Sequence, residues 1–245
     1  MCGRFTQQRP ASELARIFGA EPLVDDQQAR YNLAPTQRAL VVVEREEERR
    51  LTAYRWGLIP SWSKDPSIGN RLINARAETV AATPAFRHAF EKKRCIVPAD
   101  GFYEWLRDGK LRQPFLIRRL DGQPMAFAGL WASWHDPSIE PGPDGTPPPP
   151  LRSFTIVTTR SNGLIAPIHD RMPVMLPESA WSTWLAADPE HPVDPGLLQS
   201  LLVPAPEGVR ELYPGSKLVN NPRSNGPELL EPIEAIEIPT EPATT

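Results

Sequence analysis

Cys2 is the residue whose position gives it the most unusual chemistry in this sequence. Removal of Met1 would leave Cys2 with a free α-amine and a thiol on adjacent carbons. An aldehyde condenses with such an amine to an imine, and the thiol then closes a five-membered thiazolidine ring. Cys95 cannot react in this way because its nitrogen lies in a peptide bond. The thiol and the amine ordinarily have pKa values of about 8.5 and about 7.7 to 8.0, so we expect a neighbouring base.

Glu104 is the first candidate for that base, in the run Phe102-Tyr103-Glu104-Trp105. In a strand, Phe102 and Glu104 point to the same side. Aromatic neighbours remove water from a carboxylate, and desolvation raises its pKa towards the range useful for general acid and base catalysis. The alternative is a glutamate at a sheet edge that faces solvent.

His169 and Asn74 are further candidates for the same site. His169 lies in a loop bracketed by Pro167 and Pro173, and an imidazole transfers protons near pH 7. Asn74 could orient the amine or the carbonyl of Cys2 through hydrogen bonds. Each of these residues alone is equally compatible with a structural role.

Periodicity predicts the elements that must position these residues. A helix is expected from Pro10 to Gly19, and another begins at Thr83-Pro84 and ends at Lys92-Lys93-Arg94. Two further helices carry Trp181 to Leu185 and the leucines that follow Asp194. Strand patterns cover residues 2–6, 40–43, 51–56, 95–97, 102–105, 114–118, 125–134 and 154–159.

Turn signals connect these strands into antiparallel hairpins. The charged run from Glu44 to Arg50 is interpreted as the turn of one hairpin, and Asp108-Gly109 and Asp121-Gly122 predict two more. The proline-rich insert 136–150 is expected to be a mobile hairpin tip. The sequence therefore predicts one α+β domain over residues 1–238, with a β-rich antiparallel core flanked by helices, and a disordered tail at 239–245.

Composition excludes several classes of protein. The 245 residues are 40% hydrophobic and 23% charged, without an apolar run of the roughly 20 residues that span a bilayer and without the features of a signal peptide. Two cysteines do not make a disulfide framework or a zinc site. We expect a cytoplasmic monomer, nucleoid-associated when bound to DNA, with no metal and no cofactor.

The charge distribution is compatible with a nucleic-acid partner although the net charge is -3. Between Asn70 and Arg94, six basic residues stand against two acids, whereas the segment from Gly226 to the end has five glutamates and no basic residue. A solvated helix face would explain the basic strip equally well. Trp62, at the end of the segment Gly57 to Trp62 that we interpret as a shaped loop, and Trp56, just before that segment, could stack on unpaired bases. Packing in the core is the alternative for Trp56.

Six motifs occur in an order that resembles the SOS response-associated peptidase (SRAP) family. They are Met1-Cys2-Gly3-Arg4-Phe5, Tyr31-Asn32-Leu33-Ala34-Pro35, Trp56-Gly57-Leu58-Ile59-Pro60-Ser61-Trp62, Ile73-Asn74-Ala75-Arg76-Ala77-Glu78-Thr79, Pro98-Ala99-Asp100-Gly101-Phe102-Tyr103-Glu104-Trp105 and Ile168-His169-Asp170-Arg171-Met172-Pro173. The resemblance extends from Cys2 to about Ile233. It implies a barrel-like sheet with flanking helices.

The resemblance also implies a function, namely a sensor of abasic sites in single-stranded DNA. After removal of Met1, Cys2 would bond to the ring-opened deoxyribose through a thiazolidine and shield the lesion. By motif match, Glu104 would assist ring opening and proton transfer, and His169 would aid ring opening and the reverse reaction. Asn74 would position the Cys2 backbone. Arg4 and Arg76 would hold phosphates or the N-terminal segment.

The sequence departs from the family pattern at two places. Thr83-Pro84-Ala85 lacks an arginine that some members place on the DNA backbone, so Arg87 or Arg94 is expected to replace it. The insert 136–150 is longer than needed. Both departures leave the path of the DNA open.

Three other readings remain open at this point. An N-terminal-nucleophile amidohydrolase would use the Cys2 thiol on an amide and would release ammonia from glutamine. A peptidase acting on other proteins is suggested by the family name. A non-covalent DNA-binding module would form complexes that do not survive denaturation.

Overall fold

Most strands of the chain form or cover a barrel in the computed structural model. The structure describes residues 2–108, 111–140, 142, 144–188 and 190–234. In chain order the strands are β1 (Arg4–Gln7), β2 (Glu21–Pro22), β3 (Arg30–Leu33), β4 (Arg38–Arg45), β5 (Glu48–Trp56), β6 (Asn74–Arg76), β7 (Arg94–Ala99), β8 (Gly101–Asp108), β9 (Leu111–Arg119), β10 (Met125–Trp134), β11 (Leu151–Arg160), β12 (Arg171–Pro173) and β13 (Arg210–Pro214).

The barrel is a closed ring of five strands. β5, β4, β7, β10 and β11 form an antiparallel ladder in that order, and β11 returns to β5 through the parallel pairs Ser153↔Arg55 and Phe154↔Trp56. β6 then takes over beside β11 in parallel, with Asn74 opposite Ile156. Closure removes the free sheet edges between these strands.

Period-2 alternation separates the inside of the barrel from the outside. On β4, Val41 and Val43 join the inner cluster with Trp56 and Phe154, whereas Val42 belongs to the outer cluster. The outer cluster also contains the apolar faces of the helices, which identifies it as the exterior. Both sides of the barrel wall are therefore buried.

The helices are short and pack on that exterior. They are α1 (Ala11–Phe18), α2 (Arg87–Lys92), α3 (Trp181–Leu185) and α4 (Pro195–Ser200), with 3-10 turns at Pro66–Arg71, Glu178–Ala180, Lys217–Asn220 and Pro227–Leu230. In the described part of the chain, none of the helices has both the length and the apolar character needed to cross a membrane.

A second, antiparallel sheet in the order β13-β9-β8-β1-β3 covers one end of the barrel. Its inner residues Phe5 and Phe102 join the interior cluster of the barrel. The Gln7 side chain links the two sheets, because its amide nitrogen Nε2 donates to the carbonyls of Leu40 and Pro98, each at 2.8 Å. This arrangement fixes the direction in which β1 and its preceding residue Cys2 enter the core.

The fold class is confirmed, and so are the predicted α1, α4 and hairpin β8–β9. The insert 136–150 does connect two paired strands, since Trp134 lies opposite Leu151. The predicted tail at 239–245 lies outside the described residues, and so does Gly109 of the Asp108-Gly109 hairpin signal.

Several local predictions are wrong. The charged run is mostly strand, because β4 and β5 pair as far as Arg45↔Glu48 and only Glu46 and Glu47, both with positive φ, form the turn. The helix expected from Thr83 begins at Arg87, after a turn in which the Thr83 carbonyl accepts from the Phe86 amide. Asp121-Gly122 joins β9 to a strand in the other sheet, so it makes no hairpin.

Candidate functional site

Cys2 is fully buried at the point where the second sheet meets the barrel. Its thiol lies 3.9 Å from the Arg4 carbonyl, and its own carbonyl accepts a hydrogen bond of 2.9 Å from Asn74 Nδ2. Burial, followed by the negative charge of Glu104, raises the pKa of the Cys2 thiol far above its usual value. The thiol is therefore protonated at rest and requires a base to react.

Glu104 lies on β8, and the antiparallel register of β1 with β8, Arg4↔Tyr103 and Phe5↔Phe102, brings it to the start of β1 beside Cys2. Its side chain is buried, with 2% of the residue exposed. Burial raises the pKa of Glu104 to about 7. The predicted desolvation is thus confirmed, and this carboxyl group can both donate and accept a proton at neutral pH.

Asn74 is held by β6, whose parallel pairing with β11 leaves the side chain on the same face as Ile156 of the barrel interior. While Nδ2 donates to Cys2, the other amide atom, Oδ1, is buried and has no hydrogen-bond partner among the described residues. A buried acceptor without a donor is costly in a folded protein. It is suited to receive an N–H or O–H group from a bound molecule.

His169 lies just before β12 and is mostly buried. Burial is the main cause that lowers its pKa to about 4, so the imidazole is neutral at pH 7. Nδ1 lies 3.0 Å from the Arg171 amide, which donates to it, and 2.9 Å from Asp170 Oδ1, a contact that needs a proton on Nδ1. The two contacts demand opposite protonation of Nδ1, so the neutral ring can satisfy only one of them at a time.

Two cations near these groups escaped the sequence reasoning. Burial dominates the pKa of both Glu104 and His169, and the positive charge of nearby Arg107 opposes the rise for Glu104 and adds to the fall for His169. Arg171 forms a two-pronged ion pair with Glu78, at 2.8 and 2.9 Å, and also donates to the Thr158 carbonyl at 2.6 Å. Both residues stood inside or beside recognised motifs. Glu78 is distant in sequence from Arg171, and His169 is distant from Arg107, whereas Glu104 is only three residues from Arg107.

The Arg171–Glu78 pair fastens the segment that carries Asn74 to the segment that carries His169. Bidentate arginine–carboxylate pairs fix orientation as well as distance. The structure therefore brings Cys2, Asn74 and Glu104 together directly. His169 lies in a neighbouring loop, which the Arg171–Glu78 pair holds in place.

The residues expected to contact DNA are dispersed. Arg4 is partly buried beside Cys2, where Nη1 donates to the Gly3 carbonyl at 2.9 Å, and Arg76 is exposed two residues after Asn74. Trp62 is 61% exposed, and it lines a cavity of about 340 Å³ together with Arg87. These four remain predicted contacts.

Arg94 is the exception, and its prediction is corrected. The residue is only 2% exposed. Its guanidinium donates to the carbonyls of Phe90, Glu91, Trp184 and Ala186. Because four of its five N–H groups bond to carbonyls and the side chain is almost fully buried, Arg94 is badly placed to bind a phosphate.

No group of three or more histidine, cysteine or acidic side chains suited to a metal ion occurs among the residues the structure describes. The candidate site consists of proton-transfer groups and hydrogen-bond donors around one sulfur atom. Groups of these kinds can support nucleophilic addition with acid and base assistance.

Two features define the class of this protein. A second sheet covers one end of the barrel, and its strand β1 begins next to the buried Cys2. The sequence profile of the SOS response associated peptidase (SRAP) family matches residues 1–222. The chain therefore belongs to the SRAP family, which confirms the resemblance seen in its motifs.

Relatives and solved structures agree with this assignment. The chain is 42% identical over 234 residues to the abasic site processing protein YoqW of Bacillus subtilis (strain 168), covering 94% of this chain and 99% of the relative. It is 32% identical over 238 residues to the abasic site processing protein YedK of Escherichia coli (strain K12), covering 95% and 100%. A crystal structure of a protein from Bacteroides thetaiotaomicron superposes with a TM-score of 0.80 at 25% identity, covering 95% and 100%.

Proposed function

We propose that this chain processes abasic sites in single-stranded DNA by forming a covalent thiazolidine crosslink through Cys2, after Met1 has been removed. The crosslink shields the lesion from strand cleavage and from error-prone copying. Support comes from the family, from relatives named abasic site processing proteins, and from the groups gathered around Cys2.

One observation carries the proposal: Asn74 holds the Cys2 carbonyl at 2.9 Å while Glu104, with a pKa of about 7, lies beside the thiol. Anchoring the carbonyl fixes the Cα atom from which both the amine and the thiol project. A fixed nucleophile next to a group that exchanges protons at neutral pH has most of what addition to an aldehyde requires.

The proposed reaction balances without a cofactor. Hydrolysis of the Met1–Cys2 bond consumes one water and releases methionine, through this site or through an aminopeptidase. The Cys2 amine then attacks C1′ of the ring-opened deoxyribose, and the carbinolamine loses one water to form an imine. Attack of the Cys2 sulfur on the imine carbon closes the thiazolidine, and the thiol proton ends on the ring nitrogen.

Glu104 and His169 are the proposed carriers of the protons in these steps. Ring opening needs a base at the C1′ hydroxyl and an acid at the ring oxygen, and loss of water needs an acid at the leaving hydroxyl. Glu104 at a pKa of about 7 can serve in either form. Neutral His169 complements it in ring opening and in the reverse reaction.

The remaining proposed contacts hold the strand. Arg4 and Arg76 flank Cys2 and Asn74 and would bind the phosphates next to the lesion, while Trp62 and Arg87 would bind farther along the strand. Single-stranded DNA is bound in this way by cations that follow the backbone and aromatic rings that stack on bases.

A denaturing gel tests the proposal. Untagged wild-type protein, incubated with a single-stranded oligonucleotide that carries one abasic site, should give a shifted band, and Cys2→Ala should give none. Cys95→Ala is the matched control, because Cys95 is a second fully buried cysteine that contacts the same barrel interior. It should crosslink as the wild type does.

Two results would refute the proposal. The first is an equal shifted band from Cys2→Ala, and the second is mass spectrometry showing that crosslinking protein still begins with Met1. Release of ammonia from glutamine by the same preparation would instead support the amidohydrolase alternative.

A further inference from the structure

Three cations converge at the end of the barrel opposite to the one that β1 crosses. Arg45 is the last residue of β4, Lys93 directly precedes β7, and Arg152 is the second residue of β11. The antiparallel order of these strands places the three positions at the same end. Gln7 of β1, by contrast, binds Leu40 and Pro98 at the other ends of β4 and β7.

Two buried aromatic rings hold these cations close together. The Arg45 guanidinium carbon lies 4.9 Å and Lys93 Nζ 5.0 Å from the centre of the Trp131 ring. The Arg152 guanidinium carbon lies 5.9 Å from the centre of Tyr54, which is 5.6 Å from Trp131. We call Arg45, Lys93 and Arg152 with these two rings the basic end cluster.

The three cations of the basic end cluster form no close ion pair within the described chain. None of its three cations has a carboxylate within 4.0 Å in the part of the chain that the structure describes. All three are partly buried. Burial, together with the charges of Arg45 and Arg152, lowers the pKa of Lys93, as expected where like charges crowd. Such a cluster raises the local concentration of anions.

An open cavity adjoins the cluster. Lys93 and Trp131 line the cavity of about 340 Å³ that also contains Trp62, Arg87 and His88. Trp62 is 61% exposed, so one face of its indole is open to a planar ligand. Cations next to an exposed indole match a phosphodiester next to an unpaired base better than a free phosphate or a peptide.

We propose that the basic end cluster and the adjoining cavity form a second contact for single-stranded DNA, in which a phosphodiester lies on the cations and an unpaired base stacks on Trp62. This inference rests on the proposed function, since it concerns the strand whose abasic sugar reacts at Cys2. The segment from Gly57 to Ile73 connects the two places, because it carries Trp62 and leads into Asn74. The cluster therefore binds nucleotides remote from the lesion.

Salt-dependent binding of intact single-stranded DNA tests this second contact. Fluorescence anisotropy would compare the wild type with Lys93→Met combined with Arg152→Gln, using labelled oligonucleotides of increasing length on either side of a reference base. Each lost phosphate contact lowers the slope of log K against log salt by about 0.7, so the double variant should lose about 1.4 with long oligonucleotides. With short ones the two proteins should bind alike.

The matched control is Arg16→Gln, which removes an exposed cation from the last turn of α1 on the outside of the barrel. It should leave the slope unchanged. The Lys93→Met single variant, which keeps an unbranched side chain on Trp131, should give half the effect and guards against misfolding of the double variant.

Two further measurements separate this proposal from its alternatives. The double variant should melt no lower than the wild type, because it relieves repulsion; a lower melting temperature with an unchanged salt slope would assign the cations to the fold and overturn the proposal. The proposal would also be overturned, in favour of a free-anion site, by a different pair of results. Inorganic phosphate would raise the melting temperature of the wild type, and the affinity for long DNA would be the same with and without the cluster.

Crosslinking keeps the proposed function distinct. A short abasic oligonucleotide at saturating concentration should react with the double variant at the wild-type rate. Failure of the wild type to crosslink would refute the proposed function, whereas an unchanged slope in the double variant, with normal crosslinking, would refute only the second contact.

Discussion

At the scale of single residues, burial shifts the pKa values of the two proposed proton carriers, Glu104 and His169, in opposite directions. The pKa of Glu104 rises to about 7, and that of His169 falls to about 4. At pH 7 the site therefore offers a carboxyl group that is partly protonated and an imidazole that is neutral. Two titratable groups whose pKa values are driven apart by their surroundings are typical of acid–base pairs.

The first prediction concerns the pH dependence of crosslinking. The observed rate with abasic single-stranded DNA should show an inflection near pH 7 that reports Glu104, and Glu104→Gln should slow the reaction by about 10²- to 10⁴-fold, the usual contribution of general acid–base catalysis. Quenched time courses on denaturing gels between pH 5 and 9 would measure it. A variant that retains both the rate and the inflection would remove Glu104 from the mechanism.

The same substitution has a separate effect on stability. A carboxyl whose pKa rises on folding contributes most when protonated, so stability is lost as the pH rises from the ordinary value, about 4.5, through about 7. Above that range Glu104→Gln should be more stable than the wild type by up to about 3 kcal/mol, and the two should converge near pH 4. Urea unfolding at pH 4 and pH 8 would show whether the difference has this sign.

At the scale of elements, Arg94 shows how one side chain joins two helices. Its guanidinium reaches the last carbonyls of α2 through Phe90 and Glu91, and those of α3 through Trp184 and Ala186. Both sets lie at helix C-termini, where a cation is favoured by the helix dipole. The side chain leaves β7 on the outer face, whereas the next residue, Cys95, points into the barrel.

The prediction at this scale is that Arg94→Gln weakens the fold and leaves DNA binding unchanged. Several buried carbonyls would lose their donor, each at a cost of about 1 to 3 kcal/mol, so the free energy of unfolding should fall by at least 2 kcal/mol. Chemical denaturation would measure the loss, and Lys92→Gln, exposed on α2, is the control. A folded Arg94→Gln with a reduced salt slope for DNA would restore the original assignment of Arg94.

At the scale of the whole molecule, the barrel closes at a seam that depends on Gly57. This residue has φ of +115°, and its amide donates to the Phe154 carbonyl at 2.8 Å, immediately after the parallel pairs of β5 with β11. A Cβ atom placed on Gly57 would lie 2.4 Å from the Gly69 carbonyl oxygen. The backbone of the loop that carries Trp62 thus passes too close for any side chain.

Gly57→Ala should therefore destabilise the protein by about 2 to 4 kcal/mol, through backbone strain and a steric clash. Gly122→Ala separates the two causes, because Gly122 also has positive φ, +68°, but nothing within 4 Å of its Cβ position. That control should cost about 1 to 2 kcal/mol. Equal losses in urea unfolding of the two variants would show that the close approach at the seam does not matter.

Local patterns predicted most strands of this fold but not how they close. Apolar and aromatic runs identified β4, β7, β8 and β10, since neighbouring residues on a strand carry that signal themselves. The parallel pairing of β5 with β11 joins residues almost a hundred positions apart, for which short-range patterns hold no information. The charged run 44–50 was misjudged because strands that extend beyond a barrel wall can be polar on both faces.

For the candidate site, residue type and order identified Cys2, Asn74, Glu104 and His169 as a group, and the structure brings the first three into direct relation. The Glu78–Arg171 pair was missed because its two residues are distant in sequence, and Arg107 was missed because the sequence does not show that His169 comes near it. Arg94 was misassigned because a cationic run at a helix end gives no sign of which side chain turns inward.

The complete burial of the Cys2 sulfur has a consequence for selectivity. A thiol that is buried and held in its neutral form should react slowly with peroxide, alkylating agents and small aldehydes, since the nucleophile that attacks these reagents is an exposed thiolate. Any reagent that reaches this sulfur must therefore first displace the residues that cover it.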